Sequence, residues 1–481
     1  MGAPDYRYAL DFLNRFNRSE YNGNFLSDQF FLGRYNIWYF FQTSLFVEIL
    51  RFSGSRETPK QLRLSPSGFF ISLFLFCASF LSLLWFSIFR KKVLIFSVDS
   101  LTSRYKSDFR IQGLYAFLAG ESVSFAEIFH TVPGRESLKR FWGRLRPALY
   151  LEAIDFLFFL ACWLFPRRKD IAVGKLSGDF GKDEAEFAGY LAEKYKQVVP
   201  LSLFRIRALS RILRWLKPRA VFTIDDTRHY NELLVAAQLN QIPSIALQHG
   251  HFSKYHVGWL RRGFPGEPAT PNALCVWSEY WKNELDRLGS VFPEDTIFVA
   301  GMPTGVANQG SDHRQRKRGQ KITVMIPFET NATVFEVRSF LDAFRACRGV
   351  EIIFKIRPDR DEKDQLAAYG LTSATAQVVR DVSEIIEDVD VVGGVYSTFL
   401  YDMVALGKPV FIMKTSMDYG EGMLVNKLAD PLSLSRPCEQ LEKIARTSPA
   451  VITRRRERLV GEHPPDFLKS LRDLALKYGI I

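Results

Sequence analysis

The stretch DVVGGVYSTFLYDMVALGKPVFIM, residues 390–413, reads as one strand–turn–helix unit followed by the start of another strand. Val391 and Val392 form an apolar run, and Gly393 and Gly394 permit a sharp turn. Ser397 or Thr398 is suited to cap a helix, and residues 399–405 carry the apolar spacing of an amphipathic one. Gly407-Lys408-Pro409 ends that helix before the apolar run Val410-Phe411-Ile412-Met413. Short continuous apolar runs, rather than alternating ones, imply strands buried on both faces, as in a parallel sheet covered by helices.

The same alternation extends outward in both directions. Around this unit the expected strands are 322–326, 352–356, 377–379, 389–392 and 409–413. Upstream they are 93–98, 220–224, 244–247, 273–277 and 296–300, with helices fitting at 201–216 and 232–240. Residues 308–321, NQGSDHRQRKRGQK, contain no apolar residue and five Lys or Arg, which marks a basic linker. The expected fold is α/β, with two Rossmann-like doubly wound parallel-sheet domains at 93–307 and 322–449. A length of 481 residues suits two cores better than one. Residues 450–481 read as a C-terminal helical segment, with Arg454, Arg455, Arg456 and Arg458 close together; such a segment either returns to the first domain or keeps its arginines in solvent.

Residues 1–92 form an N-terminal hydrophobic region. Within it, 67–89 (SGFFISLFLFCASFLSLLWFSIF) carries no charge, and its 23 residues suffice to cross a hydrocarbon core of about 30 Å. Arg51, Arg56, Lys60 and Arg63 precede it and Arg90, Lys91 and Lys92 follow, so charge does not orient it. A span, an interfacial or re-entrant helix, and a buried core helix all remain open; its five serines weigh against a span. Residues 148–165, with Glu152 and Asp155, read as an amphipathic helix rather than a second span. Arg135, Lys139, Arg140, Arg144 and Arg146 surround Phe141 and Trp142, either as a membrane-surface element or as a solvated helix face.

Many of the 42 Phe lie in the first 165 residues beside Trp, Tyr and Arg, a mixture that suits a lipid-headgroup surface. The net charge, 64 − 52 = +12, favours an anionic partner. The five scattered cysteines contain no CxxC pair, so neither a disulfide framework nor structural zinc is expected, and a reducing cytoplasm fits. The N-terminus lacks the pattern of a cleavable secretory signal. Phosphate-loop, dinucleotide, zinc-protease and nucleophile-elbow motifs are missing from the sequence, and charge alone speaks for nucleic acid.

Ligands of open parallel sheets bind beyond the carboxyl ends of the strands. At one such end stands Gln248-His249-Gly250-His251, where His249 is a candidate base because imidazole titrates near neutrality and Gly250 allows a tight turn. A packing role for His249 competes, and His251 and His256 lie close by. Ser397 and Thr398 open a helix whose free N–H groups suit a donor phosphate, with simple N-capping as the alternative. Lys355 and Arg357 end another strand and are candidate cations for the leaving group. Asp225 and Asp226 follow a first-domain strand as a base, an acceptor-orienting pair or a helix cap. Gly301 closes the first domain in a turn that either holds the hinge or approaches the nucleotide.

Over about residues 219–414 the order of these motifs resembles bacterial surface-polysaccharide transferases of the GT-B type (capsule and lipopolysaccharide), near the Kdo-transferase-like and CDP-glycerol glycerophosphotransferase-like groups. The resemblance implies that His249-Gly250 supplies the base and that Ser397, Thr398 and Asp402 bind donor phosphate or ribose. Two departures stand out: Arg357-Pro358 replaces the usual His-Pro, and Asp402 stands where glutamate is common. The implied activity is inverting transfer of a nucleotide-activated sugar or polyol phosphate to a glycan or lipid-linked acceptor at the cytoplasmic face of the inner membrane. The donor is a substrate, with CMP or CDP types favoured, and no metal, resident cofactor or nucleic acid is implied. An anionic membrane surface is the expected partner. Two rival readings are a nucleotide-sugar 2-epimerase of the same fold and a non-catalytic membrane-bound assembly protein.

Overall fold

Buried runs of Val, Ile, Leu and Phe build two separate parallel sheets. The computed structural model describes residues 5–21, 23–55, 66–98, 108–132, 134–144, 146–164, 176–224, 228–260, 265–303, 321–329, 334–357, 361–372, 376–416 and 418–481. The first sheet comprises β1 (Val93–Val98), β2 (Phe125–His130), β3 (Leu149–Tyr150), β4 (Ala220–Ile224), β5 (Ser244–Leu247), β6 (Ala273–Val276) and β7 (Ile297–Val299). Their spatial order is β3-β2-β1-β4-β5-β6-β7. The second comprises β8 (Ile322–Pro327), β9 (Val350–Lys355), β10 (Gln377–Val379), β11 (Val391–Gly394), β12 (Val410–Met413) and β13 (Asp430–Leu432), in the order β10-β9-β8-β11-β12-β13. Every pairing in both is parallel, with Val93 opposite Phe125 and Val324 opposite Val391. Each sheet therefore reverses direction beside its first strand, the place where doubly wound sheets open a crevice.

Helices precede, cover and follow these sheets. They are α1 (Tyr6–Asn17), α2 (Trp38–Ser55), α3 (Pro66–Ile88), α4 (Gln112–Gly120), α5 (Arg135–Arg144), α6 (Leu151–Leu164), α7 (Lys182–Leu216), α8 (Arg228–Leu239) and α9 (Glu279–Arg287) in the first part. The second part carries α10 (Val334–Arg345), α11 (Glu362–Ala368), α12 (Thr398–Ala405), α13 (Glu421–Val425), α14 (Pro437–Ala445), α15 (Pro449–Val460) and α16 (Phe467–Lys477). Strands β2, β3 and β13 were not among those expected. Glu127 and His130 interrupt the apolar pattern of β2, and Glu127 is tolerated there because Arg146 pairs with it at 2.7 Å.

The N-terminal aromatic residues divide between core and surface: those of α1 and α2 turn mostly inward, whereas Phe70, Phe80 and Trp85 of α3 and Phe159 and Trp163 of α6 are exposed. Phe12, Phe16, Trp38, Phe41 and Phe52 are buried and pack with Phe187 and Tyr195 of α7. Asn17 accepts from Trp38 Nε1 at 2.8 Å and donates to Gln42 at 2.8 Å, which satisfies the polar groups inside that cluster. Arg7, from α1, reaches Asp418 of the second domain at 3.1 Å.

Helix α3 is turned inside out. Its buried side carries Ser72, Ser79 and Ser82 beside Ile71 and Leu75, and its outer side exposes Phe70, Phe80, Leu81, Trp85 and Ile88. The serines satisfy the edge of the sheet: Ser79 Oγ accepts from Tyr150 N at 3.0 Å and Ser82 Oγ from Ala148 N at 3.1 Å. Among the described residues, Gly68–Ile88 is the helix long and apolar enough to cross a membrane, by length and composition only. The basic cluster near α5 is also partly internal. Arg144 is buried, with its guanidinium 3.9 Å from the Phe129 ring centroid and 2.9 Å from Tyr150 Oη.

Two further expectations are corrected. Cys347 and Cys438 form a disulfide between the end of α10 and α14, their Cα atoms 5.4 Å apart although 91 residues separate them in sequence. Spacing along the chain could not reveal that proximity. The C-terminal arginines are not simply solvated: Arg455 holds Asp430 through two bonds of 2.8 and 2.9 Å, and Arg456 and Arg458 donate to the carbonyls of Ala405 and Asn426. The chain then crosses back, and Phe467, Leu471 and Leu474 of α16 join the first domain's core.

Gly393 lies in the middle of β11 under the Phe411 ring, where an added Cβ would sit 1.9 Å from Cζ. Gly393→Ala is expected to destabilise the protein by about 1–3 kcal/mol through overpacking. The check is a lower urea midpoint with an unchanged denaturant slope.

Candidate active site

The carboxyl end of β5 runs into a turn that the protein pins from inside. Gln248 Nε2 donates to Gly250 O at 2.8 Å, while Gln248 Oε1 accepts from Trp277 N at 2.9 Å. That turn brings the first domain against the second: His251 Nδ1 lies 3.2 Å from Thr398 Oγ1, and His251 N donates to the same oxygen at 3.4 Å. Gly250 is part of the fit, since a Cβ there would already be 3.4 Å from Thr398 Oγ1.

The three histidines differ in environment. Burial, reinforced by His249, pushes His251 down to about 4, and burial first of all lowers His256 as well. Both are neutral near pH 7. His256 stacks on Trp259 at 4.8 Å and accepts from Ser253 N. His249 is only half-buried and stands at the domain junction.

The second domain contributes the start of α12. Ser397 is its N-cap, with Oγ accepting from Phe399 N at 3.3 Å, and Thr398 makes the contact to the first domain. The amides just before the helix, which would suit an anion, already hold a carboxyl group from the protein itself. Glu329, two residues beyond β8, accepts from the N–H groups of Val395 (2.9 Å), Tyr396 (2.9 Å) and Ser397 (2.7 Å). Burial pushes its carboxyl up to about 7, and the three amide donors act in the opposite direction. Gly394 is required for this approach, because its Cβ would lie 2.7 Å from Glu329 Oε1. Sequence reading missed Glu329; a lone carboxylate just past an apolar strand was its signal.

Lys355 and Arg357 flank the end of β9. Lys355 Nζ donates to Ile356 O at 2.7 Å and lies 5.8 Å from the Phe399 ring centroid, and its charge stabilises the anion of Asp402. Burial dominates at Asp402 and raises its carboxyl to about 7. Gln365 clamps the Arg357 backbone from both sides, at 2.9 and 3.1 Å. Gly301, at φ +90°, faces the returning C-terminal segment: its Cβ would be 2.2 Å from Pro465 O. This glycine accommodates the crossover to α16. Asp225 and Asp226 lie outside the described residues. A cavity of 280 Å³ at the domain junction is lined by Lys254, Tyr255, Glu284, Tyr401, Asp418 and Tyr419, among others.

A second polar cluster, absent from the expectations, sits at the carboxyl end of β2. His130 Nδ1 is 2.6 Å from Glu152 Oε1, which also accepts from Thr131 N at 3.0 Å. Behind it Arg205, buried in α7, holds Asp155 through bonds of 2.6 and 2.5 Å, Glu232 at 3.3 Å and His229 Nδ1 at 2.8 Å. The rings of His130 and His229 are 4.1 Å apart. The signal was the one that singles out His249, a histidine ending an apolar strand, but residues 125–130 were not read as a strand. Among the described residues no group of three His, Cys, Asp or Glu is placed to hold a metal.

Two Rossmann-like domains whose strand-end loops meet define the GT-B class of fold. No protein-family model and no curated protein matches the sequence. Among solved structures, MurG of Acinetobacter baumannii is similar at 12% identity and a TM-score of 0.45, covering 80% of this chain and 99% of that one. The calicheamicin glycosyltransferase CalG4 aligns at 14% and 0.47, over 81% and 98% of the two chains. A UDP-N-acetylglucosamine 2-epimerase aligns at 12% and 0.45, over 82% and 97%.

Proposed function

We propose that the chain is a nucleotide-sugar-dependent glycosyltransferase, or polyol-phosphate transferase, acting at the cytoplasmic face of the inner membrane. The observation that carries this reading is the meeting of the His249–His251 turn with the start of α12 at Thr398, which joins the strand ends of both sheets. His249 takes the proton of an acceptor hydroxyl, whose oxygen forms the new bond to the transferred group. The bond from that group to the donor phosphate breaks, and the nucleotide leaves with the electron pair. With the amides of residues 395–397 holding Glu329, Lys355 and Arg357 supply the positive charge for the leaving phosphate. CMP- or CDP-activated donors are the first to try, and a capsule or lipopolysaccharide glycan or its lipid-linked precursor is the proposed acceptor.

Membrane attachment is proposed to be interfacial. The serine side of α3 is committed to the sheet edge, so the helix offers lipid one face only; α6 adds Phe159, Trp163 and Leu164 to it.

His249→Ala is expected to slow transfer about a hundredfold while leaving the donor-induced thermal shift in place. Product formation from a panel of CMP-, CDP- and UDP-activated donors, with membrane vesicles as acceptor source, measures it. Unchanged polymer synthesis in cells carrying only the variant would sink the catalytic role. Conversion of a donor to its 2-epimer without any acceptor would replace transfer by epimerisation.

A further inference from the structure

Between α3 and α6 lies a cavity of 640 Å³, inside the range of about 300–1,000 Å³ typical of small-molecule sites. Its walls include Phe69, Val132, Phe156, Phe159, Leu160 and Trp163, whereas its floor is polar, with Ser72, His130, Glu152 and Asp155. The apolar end borders the exposed face of α3 and α6, where Trp163 is 77% exposed.

The floor is built rather than incidental. Glu152 is only 5% exposed, and its Oε1 is committed to His130 and Thr131. Its Oε2 is buried without a hydrogen bond among the described residues, a costly condition for a carboxyl oxygen. A ligand hydroxyl would supply the missing donor. A phosphate monoanion or dianion is chiefly an acceptor and would stand beside Glu152 and Asp155. Glu232 lies behind them, and the described basic groups facing this cluster are the guanidinium of Arg205, already shared between Asp155 and Glu232, and the imidazoles of His130 and His229. Among the described residues the carboxyls of this cluster, Glu152, Asp155 and Glu232, outnumber its one guanidinium, and burial, opposed by His130, raises the carboxyl of Glu152 above its usual range.

We propose that this cavity binds an amphiphile, its apolar chain between α3 and α6 and its uncharged, hydroxyl-bearing head on Glu152 and His130. Resting on the transferase reading, this amphiphile is the acceptor, which enters from the membrane face and presents its head at the carboxyl end of β2. In sheet order β2 is three strands from β5, roughly 14 Å from the strand that carries His249. A head group extended by several sugar units would reach across that separation, so the site selects a lipid-borne acceptor over a free monosaccharide.

The test uses the full-length protein in phosphatidylcholine nanodiscs and dodecyl β-glucoside carrying a diazirine at the chain end. Photolysis is expected to label α6 saturably, with the label displaced by unmodified dodecyl β-glucoside and poorly by dodecyl phosphate. Leu160→Trp, which fills the cavity from a partly exposed position, and Glu152→Leu, which removes the head-group acceptor, are each expected to weaken labelling about tenfold. Circular dichroism checks that each variant is folded, and Leu160→Trp alone decides if Glu152→Leu is not. Label spread without saturation along the outer face of α3, equal displacement by dodecyl phosphate, or undiminished labelling in the folded variants would overturn the proposal. No donor enters this assay, so a chain that fails the donor panel can still pass it; the two readings fail separately.

Discussion

Glu329→Ala is expected to lower folding stability by about 3–5 kcal/mol, since it strips a buried acceptor from three backbone N–H groups at once. The amides of Val395, Tyr396 and Ser397 converge on that carboxylate alone in the described contacts, and Gly394 leaves room for nothing larger than its own hydrogen beside it. Urea unfolding below pH 7, where the Glu329 contribution is still present, measures the loss. Added phosphate or sulfate is expected to restore part of it, because the vacated amides stand at a helix start with its positive dipole end. Full stability in the variant without added anion would show that water satisfies the three amides and that the carboxylate is dispensable. Acidity gives an independent reading. The Glu329 carboxyl rises from 4.5 to about 7 on folding, so between those values the folded protein holds a proton that the unfolded chain has lost. Its contribution to stability is therefore full below about pH 4.5 and declines as pH rises through 7, a slope that the alanine variant is expected to lack.

Arg205→Ala is expected to cost about 3–5 kcal/mol as well, for the opposite electrostatic reason. Arg205 is 3% exposed and is the cation that two carboxylates share, Asp155 on α6 and Glu232 on α8, with Glu232 itself fully buried. Removing it leaves both anions without their fixed counter-charge. Arg205→Lys is expected to recover little, because a single ammonium cannot reproduce the paired bonds to Asp155 together with those to Glu232 and His229. Arg205→Ala combined with Asp155→Ala and Glu232→Gln is expected to be more stable than Arg205→Ala alone. Unfolding midpoints compared across the single, double and triple variants check this, and additivity of the three changes would show that the charges are not coupled. Because Asp155 lines the α3–α6 cavity, the arginine variant is also expected to weaken amphiphile labelling.

Cys347 and Cys438 tie α10 to α14 in the second domain, while the exposed apolar faces of α3 and α6 belong to the first. The exposed apolar face and the proposed donor side are thus carried by different domains, and the His251–Thr398 contact is one of several that join them.

Much of the architecture was legible because parallel strands covered on both faces must be apolar throughout. That is why residues 93–98, 220–224, 244–247 and 377–379 coincide with β1, β4, β5 and β10. The N-terminal aromatics show the limit of the same reasoning: composition counts Phe12, Phe16 and Trp38 as apolar but does not say whether protein or lipid will cover them, and α7 covers them here. Helix α3 shows it again, since its hydropathy is that of a span while Ser79 and Ser82 are committed to strand β3.

At the candidate site, local pattern along the chain is enough to show which residues stand at or just beyond the strand ends: His249 and Gly250 after β5, Lys355 and Arg357 at the end of β9, and Ser397 and Thr398 at the start of α12. Such positions follow from chain order, because a strand's carboxyl end and the residues after it are fixed by local pattern. What meets there follows from the packing of the folded chain. It set Glu329 on the amides before α12, His251 against Thr398, Gly301 under Pro465, and His130 on Glu152. Each of those pairs joins segments 22 to 164 residues apart, and bringing distant segments together depends on how whole faces pack, which local spacing does not encode.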